Sequence, residues 1–432
     1  MTVADLTVIA DLTRTEINML PRWMLFCCVV LFARPVHPQG AQQCPPQNTI
    51  TPCTCTVKKN GLDILCEFTE QQHIQKAMNT LRSKPMIIFY LKLRHNNLAK
   101  LPSYIFLSLD IRHLTVHNSS LAVIEDSSLS SIGNKLTQLD VSQNNLATIP
   151  TSSFTHLNHL LILNMNHNKV TAIHNRAFLG LDTLEILTLY ENRISVIDGE
   201  AFKGLEKKLK RLRNLDSLGL AHNQLREVPA NVFSHLTFLN SLELEGNQIQ
   251  RIDEKAFAGL EENLQYLRLG DNRLHEIPSE ALRPLHRLRH LDLRSNNITV
   301  HQLPTMGFDN LNSLETLNLQ NNKLHHIPEE IMEPILDTLR VVDIMDNPLI
   351  CDCDLAWYEN WLAGLKDRDD EMMQKKRTIC TMVSEHREYS VAKMPLDKMS
   401  CKRKPGIRAS SATNICPLLV ANYITFAIVR YF

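Results

Sequence analysis

The stretch LNSLELEGNQIQRI, residues 239–252, decides the fold of this chain. It follows the pattern L-x-x-L-x-L-x-x-N-x-L-x-x-I, with Ile249 at the leucine position after the asparagine, and Leu242 and Leu244 flank Glu243. Alternation with a period of two predicts a short β-strand that turns its leucines inward and the intervening residue outward. Asn247 follows where the strand ends. Its amide can donate and accept hydrogen bonds with backbone groups that the strand leaves unpaired.

The same pattern recurs about eleven times along the middle of the 432-residue chain. The residues at the asparagine position are Asn96, Ser119, Asn144, Asn168, Asn192, Asn223, Asn247, Asn272, Asn296, Asn322 and Asn347. Most of their spacings lie between 23 and 26 residues, which is the signature of leucine-rich repeats. We therefore predict an α/β leucine-rich-repeat solenoid, a curved horseshoe with parallel strands on its concave face.

Phenylalanines recur in the outer limb of the repeats, where we expect them to fill the convex side of the core. They are Phe154, Phe178, Phe202, Phe233, Phe257 and Phe308. The alternative is an aromatic stripe that binds a ligand. Lys plus Arg and Asp plus Glu both number 46, so the formal net charge is zero. No overall basic excess favours nucleic acid, and none is expected as a partner.

Most of the eleven cysteines form two groups of four that flank the repeats. The groups are Cys44, Cys53, Cys55 and Cys66, and Cys351, Cys353, Cys380 and Cys401. Even groups of this kind indicate disulfides in an oxidising compartment, placed where a solenoid needs caps for its apolar ends. Zinc binding is the alternative, since each group contains a Cys-x-Cys. Cys27, Cys28 and Cys416 lie outside both groups.

The flanks are CPPQNTITPCTCTVKKNGLDILC at residues 44–66 and CDCDLAWYENWL at residues 351–362. Together with the repeats, they resemble those of extracellular leucine-rich-repeat proteins with cysteine-rich N- and C-terminal caps. The resemblance implies the pairings Cys44–Cys55, Cys53–Cys66, Cys351–Cys380 and Cys353–Cys401. The first flank is similar to that of arthropod proteins resembling the non-catalytic subunit of shrimp (Oplophorus) luciferin monooxygenase. That similarity implies a non-enzymatic role and no luciferase activity.

We divide the chain into five segments. They are a leader (1–43), an N-terminal cap (44–87), the repeats (88–347), a C-terminal cap (348–401), and a linker with a hydrophobic tail (402–432). The apolar run at residues 24–33 predicts an export signal, with Met19 as an alternative start. The tail is interpreted as a transmembrane helix, a glycolipid-anchor signal or an alternative-transcript end, and membrane attachment is favoured. We expect an extracellular protein, secreted or anchored at the outer cell surface.

The outward-facing strand positions are the candidate binding site, because they vary without disturbing the core. The richest group is Tyr190, Glu243, Glu245, Tyr266, Arg268, Asp292 and Arg294. Tyrosine and arginine are the usual anchors of protein interfaces, so the group predicts a protein ligand. The alternative is that Glu243, Arg268 and Asp292 only neutralise one another across adjacent strands.

Two other features suggest surface roles. Between Asn192 and Asn223 the spacing stretches to 31 residues and contains a basic cluster. The cluster comprises Lys207, Lys208, Lys210, Arg211 and Arg213, which could bind a sulfated glycan or acidic lipid headgroups, or form a solvated loop. Asn118 and Asn297 begin glycosylation sequons, which suit an exported protein.

The sequence carries no Gly-x-Ser-x-Gly, His-Glu-x-x-His, Walker or dinucleotide-binding motif, so we expect no catalysis, cofactor or metal. The first functional hypothesis is recognition or adhesion through the concave face. One alternative is a non-catalytic subunit that stabilises a secreted enzyme. The other is an extracellular-matrix organiser that binds collagen or glycans.

Overall fold

The computed structural model describes residues 43–83, 85–205, 215–299, 307–364, 377–399 and 401. The expected export signal and hydrophobic tail lie outside these residues. The N-terminal cap contains α1 (Gln47–Ile50), β1 (Thr54–Lys58), β2 (Gly61–Glu67) and α2 (Gln71–Leu81).

Eleven strands follow, one for each repeat. They are β3 (Ile87–Arg94), β5 (Asp110–His117), β7 (Gln138–Asp140), β8 (Ile162–Asn164), β10 (Ile186–Thr188), β12 (Ser217–Gly219), β14 (Ser241–Glu243), β16 (Tyr266–Arg268), β17 (His290–Asp292), β18 (Thr316–Asn318) and β19 (Val341–Asp343). With β1 and β2 they form a single 13-stranded sheet. Only the β1–β2 pair in this sheet is antiparallel, and the repeat strands pair in chain order. The predicted solenoid with parallel strands is confirmed.

The outer limbs of the repeats carry short elements. The strands are β4 (Lys100–Leu101), β6 (Val123–Ile124), β9 (Ala172–Ile173), β11 (Val196–Ile197), β13 (Glu227–Val228) and β15 (Arg251–Ile252). The helices are α3 (Thr151–Phe154), α4 (Ser279–Leu282) and α5 (Glu329–Met332). The C-terminal cap contains α6 (Ala356–Gly364), β20 (Ile379–Met382), β21 (Arg387–Ser390) and 3-10 turns at Cys353–Leu355, Val391–Lys393 and Leu396–Met399.

The core follows the repeat pattern. The register places Leu218, Leu242 and Leu267 side by side on successive strands, and all three are fully buried. The six predicted phenylalanines are also buried. Phe178, Phe202, Phe233 and Phe257 stack in a column with ring centroids 5.9, 5.9 and 6.5 Å apart. Because each turn stacks only on its neighbours, these columns hold the solenoid together along its length.

The eleven residues at the asparagine position form a buried ladder, hereafter the asparagine ladder. Asn247 shows how it works: its Nδ2 donates to the carbonyl oxygens of Leu220 and Leu244, both at 3.0 Å. Its Oδ1 accepts from the backbone N–H of Leu225 at 3.1 Å. One side chain therefore satisfies backbone groups of two adjacent turns. Ser119 occupies the same place with its hydroxyl 3.2 Å from the carbonyl oxygen of Leu93.

Four disulfides close the two caps. They join Cys44 to Cys55, Cys53 to Cys66, Cys351 to Cys380 and Cys353 to Cys401, the pairings that the family resemblance implies. In the C-terminal cap, the indole of Trp357 donates to the carbonyl oxygen of Ile327 at 2.7 Å and so ties the cap to the repeats. Within the described part of the chain, none of the helices combines the length and apolarity that a membrane crossing requires.

Candidate functional site

The sheet brings the seven predicted site residues onto one face. The register aligns Glu243 with Arg268 and Arg268 with Asp292 on three successive strands. Tyr190 follows β10 and is separated from this row by β12, which ends at Gly219 and is followed by Ala221. The concave face, as used below, is the sheet surface formed by these outward-facing residues and their equivalents on the other repeat strands.

The ring of Tyr190 lies against Gly219. A methyl group added at Gly219 would stand 2.3 Å from Cε1 and 2.6 Å from Cζ of the tyrosine ring, so only glycine leaves room for it. The neighbouring Ala221 is 2% exposed. Gly219 is the only glycine at its position among the eleven repeats, and this was the sequence signal for the arrangement.

Glu243 and Glu245 share one guanidinium. Arg268 Nη1 lies 3.1 Å from Glu243 Oε1 and 3.9 Å from Glu245 Oε1. The arginine side chain is 52% exposed, whereas the glutamates are only 14% and 15% exposed. Burial and the charge of Glu245 raise the pKa of Glu243, and Arg268 only partly offsets them. Glu245 Oε2 is inaccessible to solvent and has no hydrogen-bond partner within the described residues.

Asp292 pairs within its own repeat. Its carboxylate lies 3.4 Å from Arg294 Nη1, and Arg294 Nε lies 3.7 Å from Asp271. Arg268 thus pairs with Glu243 and Glu245, whereas Asp292 pairs with Arg294. The charges therefore form two separate groups, one around Arg268 and one around Arg294. The group around Arg268 has two negative charges and one positive charge.

Several acidic or amide side chains on this face have a structural role that the sequence did not reveal. Each accepts a hydrogen bond at 2.9 to 3.0 Å from the backbone N–H two residues later. They are Asp140, Asn164, Asp292, Asn318 and Asp343. Such residues cap the end of their strand, so they are less free to vary than an outward-facing position suggests.

A shallow groove of about 450 Å³ lies beside the row of charges. Tyr266 and His290 stack along it with ring centroids 4.5 Å apart and an interplanar angle of 6°. Burial lowers the pKa of His290, so its ring is predominantly neutral at pH 7. The groove thus offers a flat, uncharged aromatic surface next to Arg268.

The remaining predicted positions are the basic cluster and the two sequon asparagines. The basic cluster Lys207, Lys208, Lys210, Arg211 and Arg213 lies outside the described residues. Asn118 and Asn297 are both exposed. Asn118 Nδ2 lies 3.0 Å from His95 Nδ1, at the N-terminal end of the repeats.

Three side chains at the C-terminal cap could hold a metal ion, although the sequence led us to expect none. The ligand atoms of His326, Asp352 and Asp354 lie within 4.8 Å of one another. His326 Nδ1 is hydrogen-bonded to Asp352 Oδ2, a contact that links the last repeats to the cap. Burial and the charge of Asp352 raise the pKa of Asp354. The sequence did not suggest this group because His326 is 26 residues from Asp352.

A protein-family model described as leucine rich repeat matches residues 110–170, 134–193, 162–212, 213–262 and 262–324. Among solved structures, a chain of the octameric complex of Latrophilin 3 (Lec, Olf), Unc5D (Ig, Ig2, TSP1) and FLRT2 (LRR) is 21% identical, with a TM-score of 0.50. That match covers 68% of this chain and 91% of the other. Human 5T4 is 22% identical, with a TM-score of 0.48 and coverages of 67% and 94%.

A chain of the Drosophila Toll–Spatzle complex is 21% identical, with a TM-score of 0.47. The present chain spans 51% of that chain's length and 56% of the matched chain in the TLR13–ssRNA13 complex. The matched repeat segments run without a break from residue 110 to residue 324, and they contain nine of the eleven repeat strands, from β5 to β18. The chain is therefore a leucine-rich-repeat protein.

Proposed function

We propose that this chain is an extracellular recognition protein, secreted or attached to the outer cell surface, which binds a protein ligand and catalyses no reaction. The observation that carries the proposal is the arrangement around β12. There, an aromatic ring held over Gly219 and two largely buried carboxylates with one exposed arginine lie on adjacent strands.

Physical reasons support this assignment. Tyr190 and Tyr266 are of a residue type that contributes strongly to binding energy at protein interfaces, particularly near the centre of a contact. A parallel sheet holds them in fixed positions, so little conformational entropy is lost when a partner binds. The four cap disulfides support an oxidising, extracellular environment.

Crosslinking mass spectrometry tests the proposal. The secreted chain is incubated with extracellular fluid from its own tissue, beside the variant Tyr190→Ala/Tyr266→Ala. A matched control, Tyr104→Ala/Phe238→Ala, removes two exposed aromatic rings away from the concave face. We expect one protein to crosslink to the strands β10 to β17, to be retained by the control and to be lost by the first variant. Equal capture by all three forms would contradict recognition at this face.

The partner's identity separates the remaining alternatives. Stoichiometric copurification with a secreted enzyme would assign the chain as a stabilising, non-catalytic subunit. Salt-sensitive heparin binding that is lost when Lys207, Lys208, Lys210, Arg211 and Arg213 are neutralised would instead assign a matrix or glycan-binding role. Each result depends on a different set of residues, because the heparin variant leaves Tyr190 and Tyr266 unchanged.

A further inference from the structure

The group Glu243, Glu245 and Arg268 lacks a positive charge and a hydrogen-bond donor. One guanidinium serves two carboxylates, and it lies 0.8 Å farther from Glu245 than from Glu243. Glu245 Oε2 has no partner within the described residues. An unpaired polar atom away from water costs free energy until a donor reaches it. A bound partner with a cationic side chain would supply the missing positive charge. Because Glu245 Oε2 is closed to solvent, that cation would meet the accessible parts of the two carboxylates.

The surface next to this group fits the rest of such a side chain. Tyr190, Ala221 and Glu245 occupy equivalent places on three successive turns, joined by the hydrogen bonds Glu191 N–H to Ala221 O and His222 N–H to Glu245 O. Neighbouring strands lie about 4.8 Å apart, so Tyr190 is about 10 Å from Glu245 along the sheet. An extended lysine or arginine stem is long enough to reach from the tyrosine ring toward the carboxylate, and aliphatic stems pack well on aromatic faces.

Building on the function proposed above, we propose that the partner is a protein segment with a lysine or arginine side chain that docks between Glu243 and Glu245, with its stem on the ring of Tyr190. The surplus negative charge argues against an acidic segment, since like charges oppose docking. A divalent cation fits the group poorly. Calcium takes six to eight oxygen ligands, whereas this group offers two carboxylates that already contact Arg268.

A phage-displayed library of random 12-residue peptides provides the probe. Peptides are selected on the full secreted chain, and the enriched sequences are synthesised for fluorescence-polarisation titrations. We expect enrichment of lysine or arginine beside an apolar residue. Replacement of that basic residue by norleucine should abolish binding, and competition between the peptide and the natural partner should place both at the same surface.

Three variants decide the charge dependence. Glu243→Gln/Glu245→Gln should lower the affinity for the peptide at least tenfold, because the attracting charges are removed while the shape of the side chains is kept. Arg268→Gln should raise the affinity for the peptide several-fold, because Arg268 competes with the peptide's basic side chain for the two carboxylates. The matched control Glu227→Gln/Glu254→Gln removes two exposed carboxylates elsewhere and should leave affinity unchanged. A general loss of folding would lower the affinity in both of the first two variants, so changes in opposite directions would exclude it.

The inference is overturned if no enriched peptide depends on Glu243 and Glu245, or if the enriched peptides lack basic residues. Its failure is distinguishable from failure of the proposed function. If the crosslinked partner is lost on Tyr190→Ala/Tyr266→Ala but kept by Glu243→Gln/Glu245→Gln, concave-face recognition stands and only the cationic contact is wrong. If no protein crosslinks to the face at all, the proposed function itself fails.

Discussion

Single residues of the asparagine ladder carry hydrogen bonds for two turns at once, so their chemistry tolerates little change. In Asn247→Asp, a carboxylate oxygen would replace the Nδ2 donor and face the carbonyl oxygens of Leu220 and Leu244. We expect a loss of about 3 kcal/mol in the free energy of unfolding, because two buried acceptors lose their donor and a charge is buried. Urea denaturation measures this change in the free energy of unfolding. Gln250→Glu, the same change on an exposed side chain, serves as control, and equal midpoints for both variants would contradict the role of the ladder.

Asp343 gives a prediction about pH. Burial raises its pKa above the ordinary value, with smaller contributions from Asp346 and Asp292. The folded chain therefore binds this proton more tightly than the unfolded chain. The resulting stabilisation is fully present below the unfolded pKa and is lost as pH rises through the folded pKa. Asn164 and Asn318 already accept the equivalent backbone hydrogen bond, so Asp343→Asn keeps that contact and removes only the charge.

We accordingly expect Asp343→Asn to melt at a higher temperature than the natural chain at pH 7, and the difference to disappear near pH 3. Thermal denaturation followed by circular dichroism at both pH values tests this. The exposed Asp126→Asn is the control, expected to show no such convergence. A variant that is less stable than the natural chain at pH 7 would show that the carboxylate makes a favourable contact in the folded state.

At this scale the sequence predicts buried positions better than exposed ones. Leu242 and Asn247 repeat at a fixed spacing, and the structure buries both. The pattern also predicts that Glu243 faces outward, yet that side chain is only 14% exposed. The strand pattern fixes only the direction in which a side chain points. Its exposure depends on which side chains of the neighbouring turns lie beside it. Here Glu245 and Arg268 provide that cover.

Among the elements, α6 fastens the C-terminal cap to the solenoid through the buried Trp357. Trp357→Phe keeps an aromatic ring but removes the donor to the carbonyl oxygen of Ile327. We expect a cost of about 1–3 kcal/mol and faster amide hydrogen exchange in α6, with little change in the central strands. Trp361→Phe is the same substitution at a half-buried ring that stacks on Tyr358, and it should have a smaller effect. Equal exchange in both variants would contradict the anchoring role.

Element lengths were less predictable than element positions. Most repeat strands have three residues, as the two-leucine pattern suggests, but β3 and β5 have eight each. The additional pairing comes from the N-terminal cap: β2 aligns with β3 from Leu62 to Glu67, and β3 extends the match to β5. A repeat pattern describes contacts between equivalent turns, so it cannot show how a cap of different structure lengthens the first strands.

The whole molecule behaves as a stack in which each turn contacts its neighbours and disulfide-bonded caps protect both ends. Loss of the caps should therefore loosen the solenoid from its ends. On reduction of all four disulfides, we expect amide exchange to rise first in β3 and β19 and last in β12 and β14, measured by mass spectrometry. Cys351→Ser/Cys380→Ser should confine the increase to β17, β18 and β19, because only the C-terminal cap is opened. A rise of equal size in every strand would mean that the turns unfold as one cooperative unit, and that the caps act on all of them together.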